Sequence, residues 1–143
     1  GRACGCGLRG CPEMYVSGVG LTAAAREYLP DYPQSRLTLA SSDTASILNA
    51  YRMGDPLAVR IIDEAGGMLA TLAMLIAATL NPCRILIGGG LGAALYDLVI
   101  ARVRRDVREG TLPAAHEYLD IVRAQVKSSA VGAAAVAFMQ HGA

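Results

Sequence analysis

The chain has 143 residues, enough for one compact domain with a real core rather than for two. Hydrophobic residues make up 53% and charged residues 17%, with no Trp, one Phe and six Tyr, so the core has to be built from Ala, Leu, Val and Ile. Lys and Arg number 13 against 12 Asp and Glu, and this formal +1 excludes recruitment of nucleic acid or anionic lipid by bulk charge.

The chain begins with GRACGCGLRGCPEMYVSG, which holds three of the four cysteines: Cys4, Cys6 and Cys11. The spacing C-x-C-x-x-x-x-C, with Gly5, Gly7 and Gly10 interleaved, lets a short loop curl until three sulfurs converge on one point. Zinc takes four tetrahedral N or S ligands, and three of them are here. The only histidines, His116 and His141, lie far along the chain. Three unrelated thiols, or one disulfide plus a spare, is the competing reading. Cys83, beside Pro82 in an apolar stretch, is remote from the trio. A cluster of three with one distant thiol fits a metal site in a reducing cytosol better than a paired framework. The first residues carry no apolar signal-peptide core, and the start on Gly1 reads as the middle of a longer chain.

Next, Pro12 and Glu13 open a helix expected to run through Tyr15 and Leu21 towards Tyr28. Leu29 to Arg36, with Pro30, Asp31 and Pro33, reads as a loop. SSDTASILNAYRMGD reads as a capped helix, with Ser42 or Asp43 as N-cap, Ile47, Leu48 and Tyr51 as its apolar stripe, and Gly54 as the stop. Asp55-Pro56 then starts the longest helix, to Leu80, with Asp as N-cap and Pro at the first helical position. Its first half leaves Arg60, Asp63 and Glu64 for solvent, and its second half carries no charge until Arg84. A membrane span is one reading. The run is interrupted by Gly66, Gly67, Thr71, Thr79 and Asn81, and its strictly apolar part is shorter than the ~20 residues a bilayer requires. A helix buried on nearly every side is preferred.

Asn81-Pro82 ends that helix, and Ile85 to Ile87 read as a uniformly apolar strand of the kind found inside a parallel sheet. Gly88, Gly89 and Gly90 are expected to form a turn, and Leu91 to Glu109 a helix with Arg102, Arg104, Arg105 and Arg108 on its solvent face. A loop from Gly110 to Ala115, a second strand from Asp120 to Val126, and a final Ala-rich helix capped by Ser128 or Ser129 complete an α/β order. The glycine run after a strand suits close approach of a ligand to backbone at a helix N-terminus, although it lacks the GxGxxG fingerprint; a tight turn without a ligand is equally compatible. In SSAVGAAAVAF, the small residues Ala130, Gly132, Ala133 and Ala134 suit close packing against a neighbouring helix or a flat ligand.

Taken together, these stretches resemble one family. CGCGLRGCPEMYVSG is similar to the zinc-knuckle signature of the ROK family (repressors, open reading frames and sugar kinases), C-x-C-G-x-x-G-C-x-E followed by Ser-Gly. Cys4, Cys6, Gly7, Gly10, Cys11, Glu13, Ser17 and Gly18 match every fixed position. MGDPLA, LNPCRILIGGGLG and VGAAAVAF resemble the family's GD-x-x-A, N-P-x-x-I-x-x-G-G and G-A-A segments, in order, so the similarity spans essentially the whole chain.

The resemblance implies an actin-like, ribonuclease-H-like α/β fold of two lobes, with residues 1–143 forming the C-terminal lobe and the N-terminal lobe lying upstream. It implies that Cys4, Cys6 and Cys11 hold a structural zinc with an upstream His as fourth ligand, and that Glu13 accepts hydrogen bonds from sugar hydroxyls. Gly88, Gly89 and Gly90 match the turn beside the adenosine of Mg-ATP. The family's catalytic Asp and phosphate-binding residues lie upstream of the knuckle, so no catalytic residue is assigned here. S-G-x-G in YVSGVGL is closest to fructokinase-like and N-acetylhexosamine kinase-like members. KSSAVGAA is a looser match to D-S-S-G-V-x-G-A-A, with Lys127 in place of Asp, Ala130 in place of Gly and one residue missing. The implied function is part of a cytoplasmic, ATP-dependent hexose or N-acetylhexosamine kinase, homo-oligomeric and not bound to membrane. The alternative is the sugar-sensing domain of a repressor that binds DNA through a separate N-terminal element.

Overall fold

The computed structural model describes residues 1–125 and 129–141. Val126, Lys127, Ser128, Gly142 and Ala143 lie outside the described residues, as do the side chains of Ser129, Gln140 and His141.

The helix expected from Pro12 to Tyr28 is two helices, α1 (Glu13–Val16) and α2 (Gly18–Tyr28). Ser17 breaks it: its backbone is extended, and its hydroxyl accepts from the Gly20 amide at 3.0 Å, so it caps α2 instead of continuing α1. Gly20 allows α2 to lie directly on α1, because a Cβ there would sit 2.5 Å from the Met14 carbonyl carbon. A single 3-10 turn, Leu29–Asp31, opens the expected loop.

The two capped helices form as expected. For α3 (Thr44–Arg52) the cap is Asp43, whose carboxylate accepts from the Ser46 amide at 2.8 Å. For α4 (Pro56–Leu80) it is Asp55, which accepts from the Leu57 and Ala58 amides at 3.0 and 3.1 Å. Asn81 ends α4 in the left-handed conformation, with Pro82 following.

Strand β1 (Arg84–Ile87) pairs in parallel with β2 (Asp120–Arg123), with Arg84 opposite Asp120 and Ile87 opposite Arg123. A parallel pair needs a crossover. It is supplied by α5 (Gly89–Gly110) and α6 (Pro113–His116), a short helix in place of part of the expected loop, with Pro113 at its first position. Strand β2 stops at Arg123 rather than Val126. The last helix, α7, spans Ser129–His141. It exposes Val131, Val136, Phe138 and Met139, and its alanines are exposed too, with Gly132 half-buried.

The core is aliphatic, as the composition requires. Leu21, Ile47, Leu57, Ile61, Ile62, Leu95 and Val103 are its largest fully buried side chains, drawn from α2, α3, α4 and α5. Among the described residues α4 is the helix long and apolar enough to cross a membrane by length and composition. It instead packs against α1, α2, α3 and α5 along one face, with Ala65, Ala70, Ala73 and Ala77 buried. Leu75 and Leu80 on its other face are exposed, so it is buried on one side and not on nearly every side. Strand β1 is likewise one-sided. Ile85 and Ile87 turn towards the helices while Leu86 is 63% exposed, because α4 and α5 cover only one face of the sheet.

Candidate functional site

The cysteine loop curls back on itself through backbone hydrogen bonds. Cys4 N donates to Leu8 O at 2.9 Å, Gly7 N to Cys4 O at 3.0 Å, and Gly10 N to Arg2 O at 2.8 Å, with an antiparallel bridge between Ala3 and Arg9. Gly7 and Gly10 have φ of 87° and 75°, the left-handed region that other residues adopt only at a cost. The loop therefore closes because glycine stands at those two positions.

Closure brings the Cys4, Cys6 and Cys11 sulfurs within 4.8 Å of one another, with Cys6 Sγ and Cys11 Sγ at 3.5 Å. A tetrahedral zinc shell with Zn–S bonds near 2.3 Å places its sulfurs about 3.8 Å apart, so the donor set fits such an ion. The charge pattern points the same way. Cys6 is held below the usual thiol range, chiefly by the Leu8 amide and then by Cys11, whereas Cys11 is pushed up to about 11 by its hydrogen bonds to Cys6 and Cys4. Three thiols this close cannot all ionise unless a cation neutralises them. All four cysteines are free, and Cys83 is exposed and outside the cluster. His116 is not near either; its Nδ1 lies 3.0 Å from the Thr111 hydroxyl.

Glu13 opens α1 two residues after Cys11, and its side chain is exposed. Its backbone carbonyl accepts from Ser17 N at 3.1 Å, and its carboxylate has no protein partner among the described residues. Val16, one turn on, lines an apolar groove of about 270 Å³ together with Leu69 and Ile76 of α4, Ile87, Gly88 and Gly92. The helix bearing Glu13 and the glycine run thus border one groove. Of the three glycines, only Gly88 stands outside the helix; α5 begins at Gly89, whose φ is 79°, two residues earlier than expected. Gly88 has no side chain with which to cap α5, so the first amides of the helix are left open at the carboxyl end of β1.

Sequence reasoning missed the residue that ties this loop to the core. Arg2, with its side chain 9% exposed, donates from Nε to Glu27 of α2 and from Nη2 to Glu64 of α4, each at 2.6 Å. The same Nη2 reaches the Tyr28 hydroxyl at 2.8 Å, and Nη1 reaches the Met14 carbonyl at 3.2 Å. Burial works against the Arg2 charge, but Glu64 and Glu27 outweigh it and the guanidinium is held more firmly ionised than usual. Glu64 is therefore half-buried and paired rather than left to solvent, and Tyr28 also donates to it at 3.0 Å. Arg60 stacks 4.2 Å from the Tyr28 ring centroid. The expected basic face of α5 is also engaged: Arg102 pairs with Asp63 and Asp106, Arg105 with Asp106, and Arg104 donates to the Ile121 carbonyl at 2.8 Å. Nothing in the local sequence marks Arg2, because its carboxylate partners lie 25 and 62 residues away.

Comparison with known proteins identifies the family. The chain is 38% identical over 88 residues to the N-acetylgalactosamine kinase AgaK of Shewanella sp. (strain ANA-3), covering 62% of this chain and 26% of that protein. It is 33% identical to the N-acetylmannosamine kinase of Citrobacter koseri, covering 66% and 29%. It is 27% identical to a glucokinase of Halalkalibacterium halodurans, covering 79% and 36%. It therefore spans about a third or less of the length of these curated relatives. Among solved structures, a ROK family transcriptional regulator, a homologue of the E. coli MLC protein, superimposes with a TM-score of 0.71 at 28% identity, over 86% of this chain and 31% of that one. The ROK family profile matches residues 1–140, and the chain belongs to the ROK family.

Proposed function

We propose that this chain is the C-terminal lobe of a cytoplasmic, ATP-dependent sugar kinase acting on a hexose or N-acetylhexosamine. The observation that carries the proposal is the free Glu13 carboxylate, presented by the cysteine loop on a helix that borders the same groove as Gly88. Cys4, Cys6 and Cys11 would hold a structural zinc, completed by an upstream His. The ion's contribution is a cross-link that fixes the loop from which Glu13 projects. An ionised carboxylate accepts two neighbouring sugar hydroxyls, which neutral side chains do less strongly. The turn at Gly88 and the open amides of Gly89 and Gly90 suit close approach by the adenosine of Mg-ATP. The catalytic base and the phosphate loop belong to the N-terminal lobe, so 143 residues on their own should not turn over substrate.

The kinase reading is supported by the relatives, which are named as kinases of N-acetylgalactosamine, N-acetylmannosamine and glucose. A second reading, the sugar-sensing domain of a DNA-binding repressor, draws on the structural neighbour, a transcriptional regulator. Both readings give Glu13 the same role.

The test is Glu13→Gln in the full-length protein, which keeps shape and removes charge. Losing a charged hydrogen bond costs about 1.5–3 kcal/mol, or roughly ten- to a hundredfold in sugar affinity by calorimetry. Zinc content and melting temperature should hold. Unchanged sugar binding would reduce Glu13 to a helix-terminal charge and move the sugar site elsewhere. Turnover of ATP with one sugar of the panel supports the kinase, whereas no turnover together with sugar-dependent release of DNA supports the repressor.

A further inference from the structure

Helix α1 is four residues long, far too short to hold a conformation by its own hydrogen bonds. Something outside it must fix where Glu13 points. The cysteine trio fixes one end, since Cys11 immediately precedes Pro12 and Glu13. One anchor sets the position of a short helix but leaves its rotation free.

We infer that Arg2 is the second anchor, a positioning residue that sets the orientation of Glu13 by clamping α1 to α2 and α4. The inference rests on the reading of Glu13 as the sugar acceptor. Its geometry is specific. One nitrogen of the guanidinium donates to the carbonyl of Met14, the residue next to Glu13, at 3.2 Å. That carbonyl belongs to the last turn of α1, where no intrahelical amide is available to satisfy it. The other nitrogens take Glu27 and Glu64, so the helix bearing Glu13 is referenced to two long helices of the core through one planar group. The ring planes of Tyr15 and Tyr28 hold that plane in place, with the guanidinium carbon 4.8 and 5.2 Å from their centroids. The backbone of Arg2 is itself part of the cysteine loop, through the Gly10 amide at 2.8 Å. Loop and helix are thereby fixed to one frame. Lysine cannot reproduce this, because a single ammonium does not reach three directions in a fixed fork.

A merely structural Arg2 would lower stability and leave sugar affinity alone. A positioning Arg2 acts through Glu13, so the two substitutions must be non-additive. The experiment is a double-mutant cycle in the full-length protein. It combines Arg2→Met with Glu13→Gln and uses calorimetry with whichever of N-acetylgalactosamine, N-acetylmannosamine and glucose the wild type binds most tightly. Arg2→Met should weaken binding about tenfold, less than complete loss of the Glu13 contacts, and Arg2→Lys should restore part of it. In the double variant the two losses should not multiply. Should Arg2→Met not fold, Arg2→Lys carries the cycle. Wild-type affinity in both Arg2 variants, or losses that multiply, overturns the inference while Glu13 stands. Wild-type affinity in Glu13→Gln alone overturns the sugar reading and the inference with it.

Discussion

Replacing Asp55 with Ala removes one side chain that organises two segments at once. Asp55 is 4% exposed. It accepts from the Leu57 and Ala58 amides that open α4, from the Arg36 amide at 2.7 Å, and from the Ser35 hydroxyl at 3.0 and 3.1 Å. Loss of an N-cap costs about 0.5–2 kcal/mol, and each buried amide left without an acceptor about 1–3 kcal/mol where water does not reach it. A total near 3 kcal/mol follows for Asp55→Ala, or a melting temperature lower by roughly 10 °C in a chain of this size. Asp55→Asn keeps one acceptor but turns an amide donor towards the Arg36 amide, so it should fall between Ala and wild type. Burial works against the Asp55 charge, yet the amides of Arg36, Ala58 and Leu57 and the Ser35 hydroxyl outweigh it and hold its pKa below the usual carboxylate range. With the folded pKa depressed, the contribution is complete above the unfolded value of about 4 and is lost as pH falls through the folded value. Urea unfolding from pH 7 down to pH 3 should therefore show the advantage of wild type over Asp55→Asn shrinking only below about pH 4. A loss under about 1 kcal/mol for Asp55→Ala, or an advantage over Asn that does not vary with pH, would refute the cap argument.

Three more predictions concern the loop and its helix. Gly20→Ala places a Cβ 2.5 Å from the Met14 carbonyl carbon, so it should cost about 1–3 kcal/mol by thermal melting and, on the proposed role of Glu13, weaken sugar binding by calorimetry through a shift of α1. The full-length protein should carry one tightly held zinc per chain that a Cys4/Cys6/Cys11→Ser triple variant lacks by metal analysis. In the metal-free protein, iodoacetamide followed by mass spectrometry at pH 8 should find Cys6 modified ahead of Cys11, because Cys6 is the thiol held low and Cys11 the one pushed up.

Much of the fold was legible because its signals are local. Asp43 and Asp55 announce their helices within three residues, Asn81-Pro82 ends α4, and the apolar run at Ile85 reads as a strand without reference to anything distant. The cysteine trio was legible for the same reason: glycines at Gly7 and Gly10 make the closure a property of eleven residues. What escaped was whatever depends on a partner. Residues 13–28 have no helix breaker stronger than Ser17-Gly18, and the chain breaks there because α2 must fold back over α1. Leu86 and the far side of α4 look buried from composition, but among the described residues the helices pack on the opposite face and leave them exposed. Arg2 looked like one more charge near a terminus, and its significance arises only when α2 and α4 arrive with Glu27 and Glu64.

The placement of those partners gives α4 a role beyond filling the core. Its first half holds the cysteine loop through Glu64 and Arg2. Its second half supplies Leu69 and Ile76 to the groove that ends at Gly88. Glu64 and Ile76 are twelve residues apart on one unbroken helix, which spans about 18 Å at 1.5 Å per residue. On the proposed function, the Glu13 carboxylate and the glycine turn would have to keep a fixed separation, and loops alone would not hold it. A single helix packed closely on α5 does so: at Gly66 a Cβ would already meet the Val99 side chain at 3.3 Å, which leaves the two helices little room to slide. The uncharged stretch that makes α4 look like a membrane span is, on this argument, what lets it serve as a rigid spacer: a charged residue on the buried stripe would hold α5 away and loosen the distance between the two ends of the groove.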